Sequence, residues 1–308
     1  MVKYLQLIRW PNLLIIALVQ YLLRLSLIEY LNVPHALNHW YFALGVLCSL
    51  SLAAAGYVVN DLYDRENDAI NKPAKNLIGR QIDENQAWYL YYGLNALAVL
   101  SGYLLAQEVQ MQSLWFIPLI AAALLYLYAI DLKKRPLLGN VLVSLLTAMP
   151  VFLVGVFDVL PAANAETAAL IRQVFRVIVV YALFAFWVNL IRELVKDAQD
   201  LRGDAGMGFQ TLAILLGAGP VRSLIFALAL LLFLFTAYFN AVLFQSDLLS
   251  ALYVALFVNG PLLFFLFRVY AGKSAEHFRK LSTLLKLIML TGILSILIFS
   301  LALKLAIG

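Results

Sequence analysis

The segment Asn60-Asp61-Leu62-Tyr63-Asp64-Arg65-Glu66-Asn67-Asp68 closes a long apolar run from Trp40 to Val59. Asp61, Asp64 and Asp68 are spaced i, i+3, i+7, which on a helix sets three carboxylates on one face. Clustered carboxylates repel one another unless a cation neutralises them, and a hard divalent ion is their natural partner. Ionisable groups near membrane depth are functional by default. A second segment repeats the pattern: Arg192-Glu193-Leu194-Val195-Lys196-Asp197-Ala198-Gln199-Asp200-Leu201-Arg202-Gly203-Asp204. Asp197, Asp200 and Asp204 each lie 136 residues after their counterparts. Both segments follow an apolar run and precede a basic loop. The pattern predicts two related halves that bring two acidic faces to one cavity.

Outward from these segments the chain is apolar. Of 308 residues 64% are hydrophobic and 13% charged, and the mean hydropathy is +0.90; a soluble domain carries about 25% charge. The reading is all-α, a polytopic membrane protein forming a single domain over residues 1–308. A pI near 9.2 would suggest nucleic acid in a soluble protein. Here the basic residues lie between apolar spans, where they set topology, so no nucleic-acid partner is expected. The single cysteine, Cys48, forms no internal disulfide. His35, His39 and His277 are scattered and take no metal role.

Residues 1–11 read as an amphipathic lead-in at the interface, anchored by Trp10. Nine spans are expected, at about 12–32, 40–63, 86–106, 113–131, 138–158, 168–192, 211–241, 247–270 and 284–306. Lys and Arg cluster in alternate loops: Lys3 and Arg9; Arg65, Lys72, Lys75 and Arg80; Lys133, Lys134 and Arg135; Arg192, Lys196 and Arg202; and Arg268 through Lys286. The loops near 33–39, 107–112, 159–167 and 242–246 hold none. The positive-inside rule then places the N-terminus and both Asp clusters in the cytoplasm and the C-terminus outside the cell (inner) membrane. Within the spans, Arg24 is read as a structural charge that snorkels or pairs inside the bundle. Pro118, Pro150 and Pro261 are expected to kink helices, and Gly56 and Gly93 to allow close packing. Asn95, Asn189 and Asn259 line a polar cavity or bridge helices.

Six carboxylates on one cavity would hold two or more Mg²⁺ ions, which favour a few carboxylates plus substrate phosphate oxygens. A diphosphate fits between them. Lys72, Lys75, Lys133, Lys134, Arg135, Arg192, Lys196 and Arg202, on the same side, supply positive charge for it. Aromatic-rich apolar spans suit a long hydrocarbon tail, so the expected substrate is a polyprenyl diphosphate. Its allylic C–O bond would ionise, and the carbocation would alkylate a lipophilic acceptor among the membrane lipids. The plain alternative is that these acids are ordinary loop charges beside a membrane. Identical three-point spacing in two places argues against it. A secondary transporter would also show repeats and intramembrane charge, but it does not require two Asp triads on one side. A membrane phosphatase acting on lipid diphosphates would share the metal site and use water as acceptor.

At these residues the chain resembles the UbiA superfamily of intramembrane prenyltransferases. Asn60 through Asp68 match its N-D-x-x-D-x-x-x-D motif, and Asn71-Lys72-Pro73 its basic N-[KR]-P continuation. Leu132-Lys133-Lys134-Arg135-Pro136 with Gly139-Asn140 resemble the L-K-R and P-x-x-G-N segment that opens its fifth helix. Arg192-Glu193, Lys196-Asp197, Asp200, Gly203-Asp204 and Thr211-Leu212 match its second motif. The resemblance implies a nine-helix bundle open laterally to lipid. In it Asn60, Asp61, Asp64 and Asp68 bind Mg²⁺ and diphosphate opposite Asp197, Asp200 and Asp204. Lys72, Lys133 and Lys134 would contact the diphosphate, with Arg192 and Lys196 beside them. Where the family often reads N-[KR]-P-x-R-P, this chain has Lys75 and Asn76, which keeps a charge and loses a bidentate fork. The second motif is similar to the branch that makes digeranylgeranylglyceryl phosphate by O-alkylating a glycerol phosphate. C-alkylation of a quinone-precursor ring is the alternative within the family.

Overall fold

In the computed structural model the backbone is described for residues 2–71, 77–205 and 210–307, with side chains described for these except 66–71, 202–205 and 306–307. Twelve α-helices follow one another among these residues: α1 Val2–Leu7, α2 Trp10–Leu22, α3 His39–Asn71, α4 Glu84–Glu108, α5 Phe116–Ile130, α6 Leu138–Val154, α7 Ala168–Ala205, α8 Leu212–Leu216, α9 Ala218–Ser246, α10 Leu248–Val254, α11 Gly260–Val269 and α12 Ala275–Ile307. Three π-helical turns, Leu23–Glu29, Gly155–Val159 and Ala255–Asn259, extend α2 and α6 and join α10 to α11. Counted with these turns, nine helices among the described residues are long and apolar enough to cross a membrane. The expected span count holds, and the chain is a multi-pass membrane protein.

Helix starts follow local chemistry. The Asp83 side chain accepts from Asn85 N and opens α4; Asp247 does the same for Leu249 N and Ser250 N at α10. Asn38 Oδ1 takes the N–H groups of Trp40 and Tyr41, both at 3.0 Å, at the start of α3. The expected seventh span, 211–241, is instead a short α8 and a long α9 broken at Gly217, whose φ of +81° only glycine adopts without strain. Span six runs on to Leu201 and span nine begins at Ala275, because their charged ends stay helical.

The chain divides into two compact units. One comprises Met1–Gln20, Pro34–Lys133 and Pro150–Phe175. Its core packs Leu7, Ala55, Val58, Val59, Ala87 and Ala129 of α1, α3, α4 and α5. At the far end of α3, Gln20 Nε2 donates to Ser49 Oγ and to the Pro150 carbonyl, both at 3.0 Å. The loop before α3 is pinned by Asp158, which accepts from Ala36 N and Leu37 N. A Cβ on Gly56 would lie 2.9 Å from Leu125, so this glycine serves close packing as expected. Gly93 faces open space and does not. Pro118 sits in the first turn of α5, where the N–H it lacks has no partner within that helix.

The other unit comprises Tyr21–Val33, Lys134–Met149 and Arg176–Gly308. Its core joins α7, α8, α9, α11 and α12 through Ile191, Leu194, Ala213, Val221, Phe265 and Leu285. Arg24 is buried and its Nε donates to Glu29 Oε1 at 2.6 Å, the pairing expected of a charge at that depth. The π turn brings residues five apart over one another, which sets this i, i+5 pair. Pro261 leaves the Phe257 carbonyl without its helical donor. Thr291 Oγ1 donates to it at 2.6 Å, and Tyr253 Oη donates to the Thr291 carbonyl at 3.0 Å. Pro150 lies inside α6.

Candidate functional site

The first acidic face belongs to α3. At 1.5 Å per residue, Asp61 stands about 33 Å beyond His39, past a hydrocarbon core of about 30 Å. Ala54, Ala55, Val58 and Val59 turn into the core, which leaves Asn60, Asp61 and Asp64 on the opposite side, half-buried. Lys133, in the 3₁₀ turn after α5, donates to Asp64 Oδ1 at 2.6 Å and lies 3.5 Å from Asn60 Oδ1. Asn60 Nδ2 donates to the other Asp64 oxygen at 2.9 Å. The Lys133 side chain is 8% exposed against 21% for Asp64, so this pair is screened far less than a surface pair.

Asp61 is held by Arg9 Nη2 at 2.7 Å. The Arg9 guanidinium also lies over the Tyr57 ring, 4.7 Å from its centroid. Arg9 comes from the lead-in, whose α1 docks through buried Leu7 and through Lys3 and Tyr4, which donate to Gln81 O and Gln86 Oε1. Arg65 pairs with Glu84.

The second acidic face belongs to α7, where Ile191, Leu194, Val195 and Ala198 are buried and Arg192, Glu193, Lys196, Asp197 and Asp200 are half-buried between them. Asn140 Nδ2, in the first turn of α6, donates to Asp197 Oδ2 at 2.9 Å. Ser144 Oγ donates to the Asn140 carbonyl at 2.6 Å, and Asn189 Nδ2 donates to Ser144 Oγ at 3.3 Å. A polar ladder thus runs from Asp197 into the span, with Asn189 bridging two helices. Asp200 accepts from Gln199. Glu193 Oε1 accepts from Lys196 at 2.6 Å and lies 3.5 Å from Arg192 Nη1. Lys134 is exposed, and its carbonyl accepts from Gln210 N.

The helical spacing read from the sequence holds on the backbone at both faces, since α3 extends to Asn71 and α7 to Ala205. The side chains of Asp68, Asp204 and Arg202, and the whole of Lys72, Lys75 and Asn76, lie outside the described residues. Among described residues no three His, Cys, Asp or Glu side chains gather closely enough to hold a metal. The donors that are present are all oxygens, which suits a hard ion such as Mg²⁺. The residues of each face therefore suit Mg²⁺, which also takes oxygens from a bound substrate. Two residues escaped the sequence reading. Arg9 was counted only as a topology charge, and Asn140 was matched to a motif without a role; its place just inside a helix start after a basic run is the signal that could have found it.

Comparison with known proteins identifies relatives of the chain. A profile of the UbiA prenyltransferase family matches residues 13–303. A digeranylgeranylglyceryl phosphate synthase from Saccharolobus solfataricus is 31% identical over 86% of this chain and 88% of its own. A solved structure of a digeranylgeranylglyceryl phosphate synthase superposes with a TM-score of 0.67 at 23% identity, covering 96% of this chain and 98% of the other. A UbiA homologue from Archaeoglobus fulgidus, solved with DMAPP and Mg²⁺, superposes with a TM-score of 0.59 at 17% identity, covering 96% and 99%. The two structural likenesses speak to the fold.

Proposed function

Because the chain belongs to the UbiA prenyltransferase family, we propose that it transfers a prenyl group from an isoprenoid diphosphate to a hydroxyl of a lipophilic glycerol phosphate, forming an ether lipid. The observation that carries the donor half is Lys133 set between Asp64 and Asn60. A cation already seated against a carboxylate and an amide is what a diphosphate and its metal require on arrival. The acceptor half is supported by similar relatives, which are digeranylgeranylglyceryl phosphate synthases.

In this reading Asp61, Asp64, Asp68, Asp197, Asp200 and Asp204 are the carboxylates that hold Mg²⁺, with Asn60 beside them. Bound Mg²⁺ supplies Lewis-acid neutralisation of the leaving diphosphate. Lys133, Lys134, Lys72, Arg192 and Lys196 contact the diphosphate oxygens. Arg9 and Lys133 neutralise Asp61 and Asp64 while no substrate is present. Asn60 and Asn140, neutral amides, orient Asp64 and Asp197 without competing for their charge. The allylic C–O bond breaks and its electron pair leaves with the diphosphate. The acceptor hydroxyl oxygen bonds to the freed carbon, and its proton passes to a phosphate or carboxylate oxygen of the site. Apolar spans hold the prenyl chain and keep water from the carbocation. The whole of residues 1–308 serves as one domain, with the N-terminus and both acidic faces cytoplasmic and the C-terminus outside the cell membrane, as the loop charges require.

The test is purified protein with labelled geranylgeranyl diphosphate and Mg²⁺. One tube holds an ether-linked glyceryl phosphate; others hold 4-hydroxybenzoate or dihydroxynaphthoate. Label in a diether phosphate is expected. Label on a ring would move the protein to quinone-precursor chemistry.

A further inference from the structure

Three span ends of the second unit meet around Tyr270. Its hydroxyl donates to Ser223 Oγ at 3.2 Å, and its ring lies 5.6 Å from that of Phe226, which fixes the end of α11 on the start of α9. His277, buried in the first turn of α12, donates by Nε2 to the Arg268 carbonyl at 2.9 Å. Its ring sits so close to Gly272 that a Cβ there would come within 2.8 Å. Cations surround this junction. From 260 to 285 the chain has four, Arg268, Lys273, Arg279 and Lys280, against one acid, Glu276, and α9 adds Arg222. Glu276 takes Arg279 at 2.6 Å and lies 3.7 Å from Lys280. Among the described residues the other three face no carboxylate. Arg222 Nε donates to the Ala218 carbonyl at 3.3 Å, and its guanidinium lies 5.7 Å from the Tyr270 centroid. The Arg268 guanidinium lies 6.0 Å from the Phe264 centroid, and Lys273 is exposed on the connecting loop. The rings hold the guanidiniums in place and leave their outer N–H donors for another acceptor.

We infer that Arg222, Arg268 and Lys273 form a site for the phosphodiester headgroup of an anionic membrane lipid, whose acyl chains lie along Phe264 and Phe267. Charge complementarity carries the assignment. The two charged oxygens of a phosphodiester match a guanidinium fork, and the Lys273 ammonium adds a point charge beside it. Phe264 is 55% exposed, Phe267 74% and Tyr270 51%. Such rings at the end of a span in a multi-pass membrane protein stand where acyl chains give way to headgroups. Basic residues at that height attract anionic lipid. Charge that serves topology alone acts through its sum over the loop. This site depends instead on which cations Glu276 leaves unspent. It uses none of the residues assigned to the prenyl diphosphate and stands apart from that assignment.

The experiment places full-length protein in phosphatidylcholine nanodiscs carrying a trace of spin-labelled phosphatidylglycerol or, in parallel, spin-labelled phosphatidylcholine. The fraction of each label immobilised on the protein gives its preference for the anionic headgroup. Wild type should prefer phosphatidylglycerol. Arg222→Gln, Arg268→Gln and Lys273→Gln should each lower that preference by about threefold or more, the worth of one cation at a charged headgroup. Arg222→Lys should keep part of it. Lys280→Gln removes the same charge from a cation that faces Glu276, and should change the preference by less than about 1.5-fold. The pair deletion Glu276→Gln/Arg279→Gln, neutral in sum, should leave it unchanged. Lys273 makes no hydrogen bond or ion pair among the described residues, so Lys273→Gln decides the matter if an arginine variant fails to fold. Equal losses from Lys280→Gln and Lys273→Gln would reduce the site to diffuse loop charge and overturn the proposal, as would a wild type with no preference. Release of the anionic label by excess inorganic phosphate at constant ionic strength would make this a site for free phosphate and overturn the assignment to lipid.

Discussion

Lys133 reaches Asp64 and Asn60 from a turn that follows α5, and it is almost buried there. Its ammonium has two duties in this account, to offset Asp64 before the substrate arrives and to contact the diphosphate afterwards. Lys133→Ala should raise the donor KM about tenfold or more, the worth of one charged hydrogen bond, and the acceptor KM much less. Steady-state kinetics with each substrate varied in turn checks this, and equal loss of both would take Lys133 out of the donor site. Arg24 pairs with Glu29 within its own span. Glu29→Gln removes the carboxylate that receives its Nε, and should lower stability by about 1.5–3 kcal/mol with kcat unchanged in the folded fraction. Thermal unfolding in detergent reads that loss. The carboxylates were legible in the sequence because their spacing matches a helical face wherever the helix lies. Arg9 was not, because its partner depends on where α1 docks, and no local pattern encodes that. Gly93 was misread for the same reason: small size permits close packing, but only a neighbour makes it happen.

At the scale of elements, the spans followed from apolar length, while their interruptions depended on particular residues. The break between α8 and α9 rests on Gly217 at φ +81° with no atom within 4 Å of a Cβ there. Gly217→Ala should therefore cost about 1–2 kcal/mol through backbone strain alone, seen as a lower unfolding temperature. The turn joining α10 to α11 shows what sequence could not supply. Pro261 announces a missing donor, but its replacement by Thr291 comes from a helix thirty residues on. Thr291→Val keeps the shape and removes that donor. It should destabilise by about 1–3 kcal/mol, with Thr291→Ser restoring most of the loss. The two long helices matter in another way: α3 and α7 overrun the bilayer, and this overrun carries the acids out of the hydrocarbon while keeping their helical register.

Across the whole molecule, alternating loop charge and nine candidate spans among the described residues predict an odd topology. Reporter fusions should find the N-terminus inside and the C-terminus outside; both termini on one side would overturn the orientation. Charge alternation was readable because it is a property of loops in order. How each unit packs was not, because the chain enters each of them three times. The central proposal is that the carboxylates of each acidic face are needed for metal-dependent ionisation of a prenyl diphosphate. Its most direct test is release of diphosphate from geranylgeranyl diphosphate by wild type, Asp61→Asn and Asp197→Asn, each with Mg²⁺ and with excess EDTA. The account predicts release by wild type with Mg²⁺ alone, and loss of about a hundredfold or more in each variant. Release that persists in EDTA, or a wild-type rate in either variant, would contradict it.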